Sequence, residues 1–290
     1  MKHTYLVEKR EQGKSLLSFV KEKLNLSCSN KKIKSAIDKG MCKINGKIER
    51  FASKKLQRND QVEVEDAFLN TSKLVSLKIL FEDKDLLIID KPVDMVCDDV
   101  EIHKHYPKSY TLIHRLDKGT SGVLLIAKSF DIKQKMIQLF KEKKVFKKYV
   151  AVVDGFIEKE TGVIEDFLEK KTSPQGAFVV SSNKGQKAVT EYKVLERKKT
   201  YSLVLCMPIT GRTHQIRVHM KKIGHPILGD YQYCKHFMTK VSIARMMLHA
   251  FEIEFFHPRT NEKVVVASPF PKEFIDLFSL LKIYPYDASY

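Results

Sequence analysis

Residues 114–122 read HRLDKGTSG, and they are the most informative stretch of the chain. An arginine stands two residues before an aspartate, and the stretch ends in glycine, threonine and serine, which are typical of turns. The apolar run 123–127 follows directly and predicts a buried strand. We therefore expect Asp117 on a constrained loop at the mouth of a sheet, where functional residues are often found.

The carboxylate of Asp117 could act as a nucleophile or as a base, and both roles require its ionised form. A buried carboxylate resists ionisation unless a cation lies near it. Arg115 shares a side with Asp117 on an extended strand, but the two diverge on a curved loop. Arg217 is the better candidate, because the apolar spacing within 211–223 predicts a helix that could bring it to the loop.

The length of 290 residues suggests roughly two domains. No stretch approaches the ~18 to 20 apolar residues of a membrane span, and the first residues lead into no apolar segment of a secretory signal. The five cysteines are odd in number, far apart and without a CxxC pair. We therefore expect a cytoplasmic protein in a reducing compartment.

The net charge of +17 indicates a polyanionic partner. Residues 1–70 hold 16 Lys and Arg against 9 Asp and Glu, so they carry a larger positive excess per residue than the rest. An acidic membrane surface could also attract this charge. The chain has no Trp and no helix with a Lys/Arg face opposite a Trp/Phe face, so nucleic acid is the favoured partner.

Residues 14–66 predict a small α+β unit. Helical spacing of apolar residues at 16–24 and 33–37 predicts two short helices. The Asn-Gly pair at 45–46 predicts a hairpin turn, and the alternation at 62–64 predicts a closing strand.

This order of elements, with the run GMCKINGK at 40–47, resembles the S-four-like RNA-binding domain. The chain departs from that pattern at 13–16, where GKSL replaces the expected Arg-Leu-Asp. We predict an RNA-binding domain at 1–70; a basic surface on a protein-binding module is the alternative. The lysines expected to contact RNA phosphates are Lys31, Lys32, Lys34, Lys39, Lys43 and Lys47.

Beyond a short polar connection at 67–76, strand patterns outnumber helical ones. Strands are predicted at 77–81, 86–89, 147–154, 187–196, 201–207, 248–256 and 263–267. Helices are predicted at 130–142, 211–223 and 271–282. Because strands and helices rarely alternate, we predict for 77–290 a mixed or antiparallel sheet flanked by helices, and α+β as the class of the whole chain.

The stretch 114–122 resembles the signature of the RluA-type family of pseudouridine synthases. In that family the catalytic aspartate occupies the position of Asp117. The segment 210–219, TGRTHQIRVH, resembles a second motif, in which the arginine at the position of Arg217 pairs with that aspartate. The resemblance thus implies an Asp117–Arg217 pair and a catalytic domain at 77–290.

Three further blocks extend the resemblance. The segment 147–155, KKYVAVVDG, resembles a motif whose tyrosine, here Tyr149, contacts the target base, and an aromatic ring can stack on a flipped base. The segment 90–94 resembles a Lys-Pro-x-Gly block, but Asp94 stands where the family has glycine, which allows a loop of different shape. The segment 248–258 resembles a last block and predicts a core strand.

We predict further substrate-binding residues around Asp117. They are His114, Arg115, Thr120, Lys148 and Arg212. Arg115 is expected to take the place of the flipped base or to hold a phosphate.

Neither metal nor cofactor is expected. The chain has no glycine-rich nucleotide loop. His214 and His219 stand five residues apart, and no cysteine or carboxylate completes a ligand set.

The resemblance implies isomerisation of specific uridines in structured RNA to pseudouridine. The N-terminal module favours large-subunit ribosomal RNA over transfer RNA. A non-catalytic RNA-binding protein of the same fold is an alternative that the presence of Asp117, Tyr149 and Arg217 disfavours. An RNA hydrolase would need a second acid or a metal set. Whether Asp117 attacks the sugar or abstracts a proton stays open, and no obligate protein partner is implied.

Overall fold

The structure of the chain is a computed structural model. It describes residues 2–24, 30–65, 77–173 and 176–283. The side chains of Lys31 and Lys32 lie outside this description, as does the predicted connection at 67–76. The chain divides into two compact units, Met1–Val75 and Ser76–Tyr290.

The first unit combines two helices with a four-stranded antiparallel sheet. Its strands β1 to β4 are Lys2–Leu6, Cys42–Ile44, Lys47–Glu49 and Gln61–Glu65. Its helices α1 and α2 are Leu16–Lys23 and Asn30–Asp38. Ser15 starts α1, because its side chain accepts a hydrogen bond from the Ser18 N–H. The sheet order is β1-β4-β2-β3, so the first strand, which the sequence did not predict, pairs with β4.

A single apolar core holds the first unit together. Leu16 and Val20 of α1 face Ile33 and Ile37 of α2, and all four are buried in one cluster with Val62 of β4. The helical spacing of these residues in the sequence reflects this shared buried face. The unit therefore folds around its own core of apolar side chains.

The second unit is built on an eleven-stranded mixed sheet. Its strands β5 to β15 are Lys78–Glu82, Leu86–Lys91, Thr111–Leu112, Ser121–Ala127, Phe146–Asp154, Thr161–Ser173, Gly176–Ser181, Gln186–Lys198, Tyr201–Pro208, Leu248–Phe256 and Lys263–Ala267. Its helices α3 to α6 are Asp99–Ile102, Phe130–Lys141, Gln215–Lys222 and Lys272–Leu281. The strand order is β11-β10-β12-β13-β9-β14-β8-β6-β5, with β15 beside β14 and β7 beside β8. The α+β class with a mixed sheet is thus confirmed.

Helices cover both faces of this sheet. Successive side chains of a strand point to opposite faces. Ile88 of β6 accordingly packs in one cluster with Ile132 of α4, whereas its neighbour Ile89 packs in another with Ile102 of α3. Helices α5 and α6 share a third cluster with β9 and β13. None of the helices in the described ranges is long and apolar enough to cross a membrane.

The end of the 114–122 stretch pairs in parallel with β14, where Ser121 lies opposite His249 and Gly122 opposite Ala250. Gly122 has φ +112°, a conformation that residues with a Cβ rarely adopt. A Cβ built there would also lie 2.1 Å from the Ala250 carbonyl oxygen. Glycine is therefore needed at 122 for the approach that brings the Asp117 loop against β14.

The second unit differs from the sequence-based prediction in several parts, among them the short elements α3 and β7, which were not predicted. Strands β10 and β11 were not predicted; of the apolar residues in β10, only Ile164 and Leu168 are buried, so its strand periodicity is weak. Helix α5 was predicted from residue 211 but begins at Gln215. His214 precedes it with φ 53°, and this left-handed conformation cannot continue a helix toward the N-terminus.

Candidate active site

Main-chain contacts hold the loop that carries Asp117. The Thr120 N–H donates to the Asp117 carbonyl oxygen at 3.0 Å and closes a turn. The Asp94 N–H donates to the Lys118 carbonyl oxygen at 2.7 Å. Arg245 Nη2 donates to the Gly119 carbonyl oxygen at 3.2 Å. The loop is thus fixed from two other segments of the chain.

Lys91 is fully buried beneath this loop. Its Nζ donates to the carbonyl oxygens of Pro92 at 2.8 Å, Met95 at 3.1 Å and Lys118 at 3.4 Å. Burial lowers the pKa of Lys91 to about 8. An ammonium group whose donors are directed at carbonyl oxygens of the protein has a structural role.

Asp94 adopts φ 67°, in the left-handed region that glycine favours. Aspartate tolerates this conformation better than most residues. Asp94 is therefore compatible with the left-handed turn at this position.

The structure brings Asp117 and Arg217 together across 100 residues of sequence. Arg217, on α5, donates from Nη1 to Asp117 Oδ2 at 3.2 Å. Its Nε and Nη2 form a two-pronged pair with Asp230, at 2.8 and 2.7 Å, and Nη2 also donates to Gln232 Oε1 at 2.8 Å. The Arg217 side chain is only 8% exposed, and its one positive charge is shared by the carboxylates of Asp117 and Asp230.

Asp117 lies in a pocket. Its wall includes Tyr149 and Lys147 from β9, Leu248 from β14, and Arg212 from the turn before α5. Burial raises the pKa of Tyr149, so its phenol is neutral and offers a ring face rather than a charge. The pocket therefore combines one carboxylate, an aromatic ring and cationic side chains.

Three of the five predicted substrate-binding residues line this pocket, namely Arg115, Thr120 and Arg212. Arg115 and Arg212 are exposed, and Arg212 Nε donates to the Lys187 carbonyl oxygen at 3.2 Å. Thr120 is buried. Their role in substrate binding stays a prediction.

His114 does not line the pocket. Its Nε2 accepts a hydrogen bond from the Leu125 N–H at 3.1 Å, and its ring lies 5.6 Å from that of Phe140. Burial lowers the pKa of His114 to about 3, so the ring is neutral. The expectation of a substrate contact at His114 is corrected accordingly: the imidazole is a packing and hydrogen-bonding group of the core.

Lys148 does not line the pocket either. It points to the other face of β9 and pairs with the buried carboxylate of Glu252 at 2.8 Å. Residues two apart on a strand share a face, so Lys147 and not Lys148 accompanies Tyr149. Lys147 lies 5.6 Å from the Phe140 ring, and burial lowers the pKa of Lys147 to about 8. The alternation rule was sufficient to identify it from the sequence.

Several further residues at the site could not be predicted as functional from the sequence. Asp230, Gln232 and Tyr233 follow β13 and α5 in an irregular segment without periodicity. His214 was considered only as a metal ligand, yet its Nε2 lies 3.9 Å from Asp117 Oδ1. Its Nδ1 lies 2.7 Å from Tyr233 Oη.

The predicted RNA-contacting lysines of the first unit are distributed over α2 and the β2–β3 hairpin. Lys34, Lys39 and Lys47 are exposed, and Lys43 is half-buried. Lys31 and Lys32 belong to α2, but their side chains lie outside the described residues. Across the described ranges, no group of three His, Cys, Asp or Glu side chains is arranged to hold a metal ion.

The chain is similar to several known proteins. The family model described as RNA pseudouridylate synthase matches residues 85–222. The RNA pseudouridine synthase YlyB of Bacillus subtilis is 32% identical over 277 residues, which cover 88% of this chain and 90% of that protein. Ribosomal large subunit pseudouridine synthase D of Haemophilus influenzae is 30% identical, over 88% of this chain and 87% of that protein.

A solved structure is similar as well. Human RNA pseudouridylate synthase domain containing 4 superposes with a TM-score of 0.58 at 27% identity, over 71% of this chain and 93% of that one.

Proposed function

Because this chain belongs to the RluA-type family of RNA pseudouridine synthases, which are isomerases, we propose that it converts specific uridines of large-subunit ribosomal RNA with Asp117 as the catalytic group. The observation that carries the proposal is the Asp117–Arg217 contact inside a pocket lined by Tyr149. The name of the Haemophilus influenzae relative supports the choice of RNA.

The chemistry explains why one carboxylate can suffice. The bond between C1′ and N1 breaks, the uracil turns, and C5 joins C1′ while the proton on C5 is lost and N1 gains one. Substrate and product contain the same atoms, so no redox partner is consumed. Arg217 donates to Oδ2 of Asp117, so Oδ1 is the oxygen that this contact leaves available to the substrate. Attack on C1′ and removal of the proton on C2′ are two routes that would both use this oxygen.

Tyr149 supplies the surface for the base. A uridine stacked in a helix is out of reach of Asp117 and must leave its stack. The neutral ring of Tyr149 on the pocket wall can receive the uracil face. Arg115, Lys147 and Arg212 can then hold the phosphates on either side of the flipped nucleotide.

Mapping of pseudouridine in RNA from cells that lack the gene tests the function. We expect one or a few uridines of large-subunit ribosomal RNA to lose the modification, and the wild-type gene to restore it. Transfer RNA should be unchanged. Losses confined to transfer RNA would select the alternative substrate, and an unchanged map of all RNA would contradict the proposal.

We propose that the first unit is an RNA anchor. Two observations support this proposal: residues 1–70 carry an excess of positive charge, and Lys34, Lys39 and Lys47 are exposed. Changing Lys34, Lys39, Lys43 and Lys47 together to glutamine should weaken binding to large-subunit ribosomal RNA. It should also reduce the salt dependence by roughly 0.7 to 0.9 in log–log slope for each phosphate that the variant no longer neutralises. Filter binding between low and physiological salt measures both quantities.

A control variant separates local binding from total charge. Lys159, Lys198 and Lys199 are exposed near the ends of β12 and β13 that are opposite to Pro208 of the pocket wall, and Lys193 is exposed in the middle of β12. Changing these four to glutamine removes the same charge and should have the smaller effect. Equal slopes for the two variants would show that the first unit does not anchor RNA.

Lys147 should contribute to RNA binding in a pH-dependent manner. Its pKa of about 8 means that the ammonium form dominates below pH 8 and is lost as pH rises through that value. We therefore expect Lys147→Met to weaken affinity several-fold at pH 7, about the effect of one phosphate contact, and to change it little at pH 9. Lys141→Met, an exposed lysine of α4, is the matched control. A loss that is equal at both pH values would exclude titration of Lys147 as the cause.

A further inference from the structure

His214 lies between Tyr233 and Asp117 at the start of α5. Its Nδ1 is 2.7 Å from Tyr233 Oη, and its Nε2 is 3.9 Å from Asp117 Oδ1. Its backbone is in the left-handed region, with φ 53°, which is uncommon for a residue with a side chain. The turn before α5 thus directs an imidazole toward the carboxylate in spite of an unfavourable backbone conformation.

The hydrogen bonds of Tyr233 determine which nitrogen of His214 carries the hydrogen. The Val179 N–H donates to Tyr233 Oη at 2.8 Å. Among the described contacts of this hydroxyl, His214 Nδ1 is the group that can accept its proton. Nδ1 is therefore the acceptor, and the hydrogen of the neutral ring is on Nε2. Burial lowers the pKa of His214, which favours that neutral ring at pH 7.

His214 Nε2 lies near Asp117 Oδ1 but is too far from it for a hydrogen bond. A distance of 3.9 Å exceeds the range of N–H···O bonds. On the proposed function, Oδ1 is the oxygen that meets the substrate, because Oδ2 accepts a hydrogen bond from Arg217. A donor at this distance from the reacting oxygen can bond a substrate atom that neighbours the reaction centre.

We propose that His214 donates its Nε2–H to the 2′-hydroxyl of the target uridine and thereby selects ribose over deoxyribose. The inference rests on the proposed function, since it places the sugar of a uridine against Asp117. It assigns a substrate contact to His214, which is not part of the Asp117–Arg217 pair.

The chemistry favours the 2′-hydroxyl over another acceptor near C1′, the O2 carbonyl of uracil. Oδ1 acts on C1′ or on the proton of C2′, and the 2′-oxygen is bonded to C2′ itself. The sugar stays in place through the reaction, whereas the uracil turns and its O2 moves away. A contact with the 2′-hydroxyl can persist in every step, and the 2′-hydroxyl is the group that distinguishes RNA from DNA.

Tyr233 acts through His214 as a positioning residue. Its hydroxyl holds the ring in the tautomer with hydrogen on Nε2, and the Tyr233 ring also lies 4.9 Å from the Arg217 guanidinium. Tyr233→Phe keeps the ring beside Arg217 but removes the hydroxyl that favours the His214 tautomer with hydrogen on Nε2. It should reduce the preference for ribose in part, with no further reduction when His214 is already replaced.

The test combines protein variants with matched oligonucleotides. The substrates are stem-loop RNAs that carry the mapped uridine, with ribouridine, 2′-deoxyuridine or 2-thiouridine at that one position. The enzymes are wild type, His214→Phe, which keeps a ring without a donor, and His214→Gln, which keeps an N–H donor. We expect kcat/KM of wild type on ribouridine to exceed that on deoxyuridine by about 10- to 100-fold, the range for removal of one substrate hydrogen bond.

In His214→Phe this ratio should fall to near one, because the missing donor and the missing hydroxyl belong to one hydrogen bond. His214→Gln should retain part of it. If deoxyuridine reacts too slowly to measure, the same ratio is read from oligonucleotide affinity in the Asp117→Asn background. Thermal unfolding verifies that each variant is folded, and the ratio within one enzyme is insensitive to a loss of folded protein.

An unchanged ribose preference in both His214 variants would overturn the inference. The inference would also fail if the His214 variants kept the preference for ribouridine over deoxyuridine but lost the discrimination against 2-thiouridine. That result would assign the contact to O2. If the wild-type enzyme did not convert the ribouridine substrate, the proposed function itself would be contradicted. This outcome differs from failure of the 2′-hydroxyl contact, in which ribouridine is converted but the ribose preference does not depend on His214.

Discussion

Asp117→Asn is expected to abolish pseudouridine formation while RNA affinity changes little. Asparagine preserves the shape of the side chain but cannot act as a nucleophile or a base. Removal of a catalytic group of this kind typically lowers the rate by about 10²- to 10⁴-fold. The measurement is single-turnover conversion of the mapped uridine, with RNA affinity measured beside it.

Asp94→Asn is the matched control for that experiment. Asp94 lies near the same loop, 3.9 Å from Lys118 Nζ, and is not part of the pocket wall. The control removes the same charge and should leave most of the activity. Residual activity of Asp117→Asn above about a tenth of wild type would exclude Asp117 as the catalytic group, given the losses expected for such a group.

Arg217→Ala should lower both activity and stability strongly. The variant leaves Asp117 without its cation and leaves Asp230, which is only 2% exposed, as an unpaired buried charge. Breaking a buried pair by removing one partner costs about 3–5 kcal/mol of unfolding free energy. Arg217→Lys keeps the positive charge but loses the planar guanidinium that binds a carboxylate with two nitrogens. It should therefore retain part of the activity and part of the stability. Urea denaturation and single-turnover kinetics measure the two effects.

A double variant separates these two roles of Arg217. Arg217→Ala combined with Asp230→Asn removes the unpaired buried charge and should recover part of the stability, because the two residues interact directly. It should not recover activity, because Asp117 still has no cation. Recovery of activity along with stability would show that Arg217 acts through the fold and not through Asp117.

The contact between Asp117 and Arg217 could be predicted from the sequence because the two residues lie in motifs that resemble those of the family. The strand after Asp117 was accessible for a physical reason, since a buried strand is a continuous apolar run. Lys147 could be predicted as well, since strand alternation places it, and not Lys148, on the same face as Tyr149. Asp230 and Tyr233 could not be found, because an irregular segment has no periodicity and its contacts depend on tertiary structure.

Strands β10 and β11 were missed for a related reason. Side chains such as Val163 and Phe167 of β10 are exposed, so polar and apolar residues do not alternate as they do in a half-buried strand. The RNA-binding role of the first unit stays a prediction, because its lysines fit such a role without demonstrating it. The function of a basic surface depends on its partner and not on its own geometry.

The three carbonyl oxygens bound by Lys91 have a consequence for the choice of uridine. One of them, that of Lys118, belongs to the Asp117 loop, and the other two belong to the segment of Pro92 and Met95, so Lys91 ties the loop to that segment before any RNA binds. Little conformational entropy of the protein is therefore lost on binding. The energetic penalty of assembling the reactive complex then falls on the nucleotide, which must give up its stacking partners. Among uridines that reach the pocket equally well, those already looped out or weakly stacked should react first, so the secondary structure of the RNA acts as a filter.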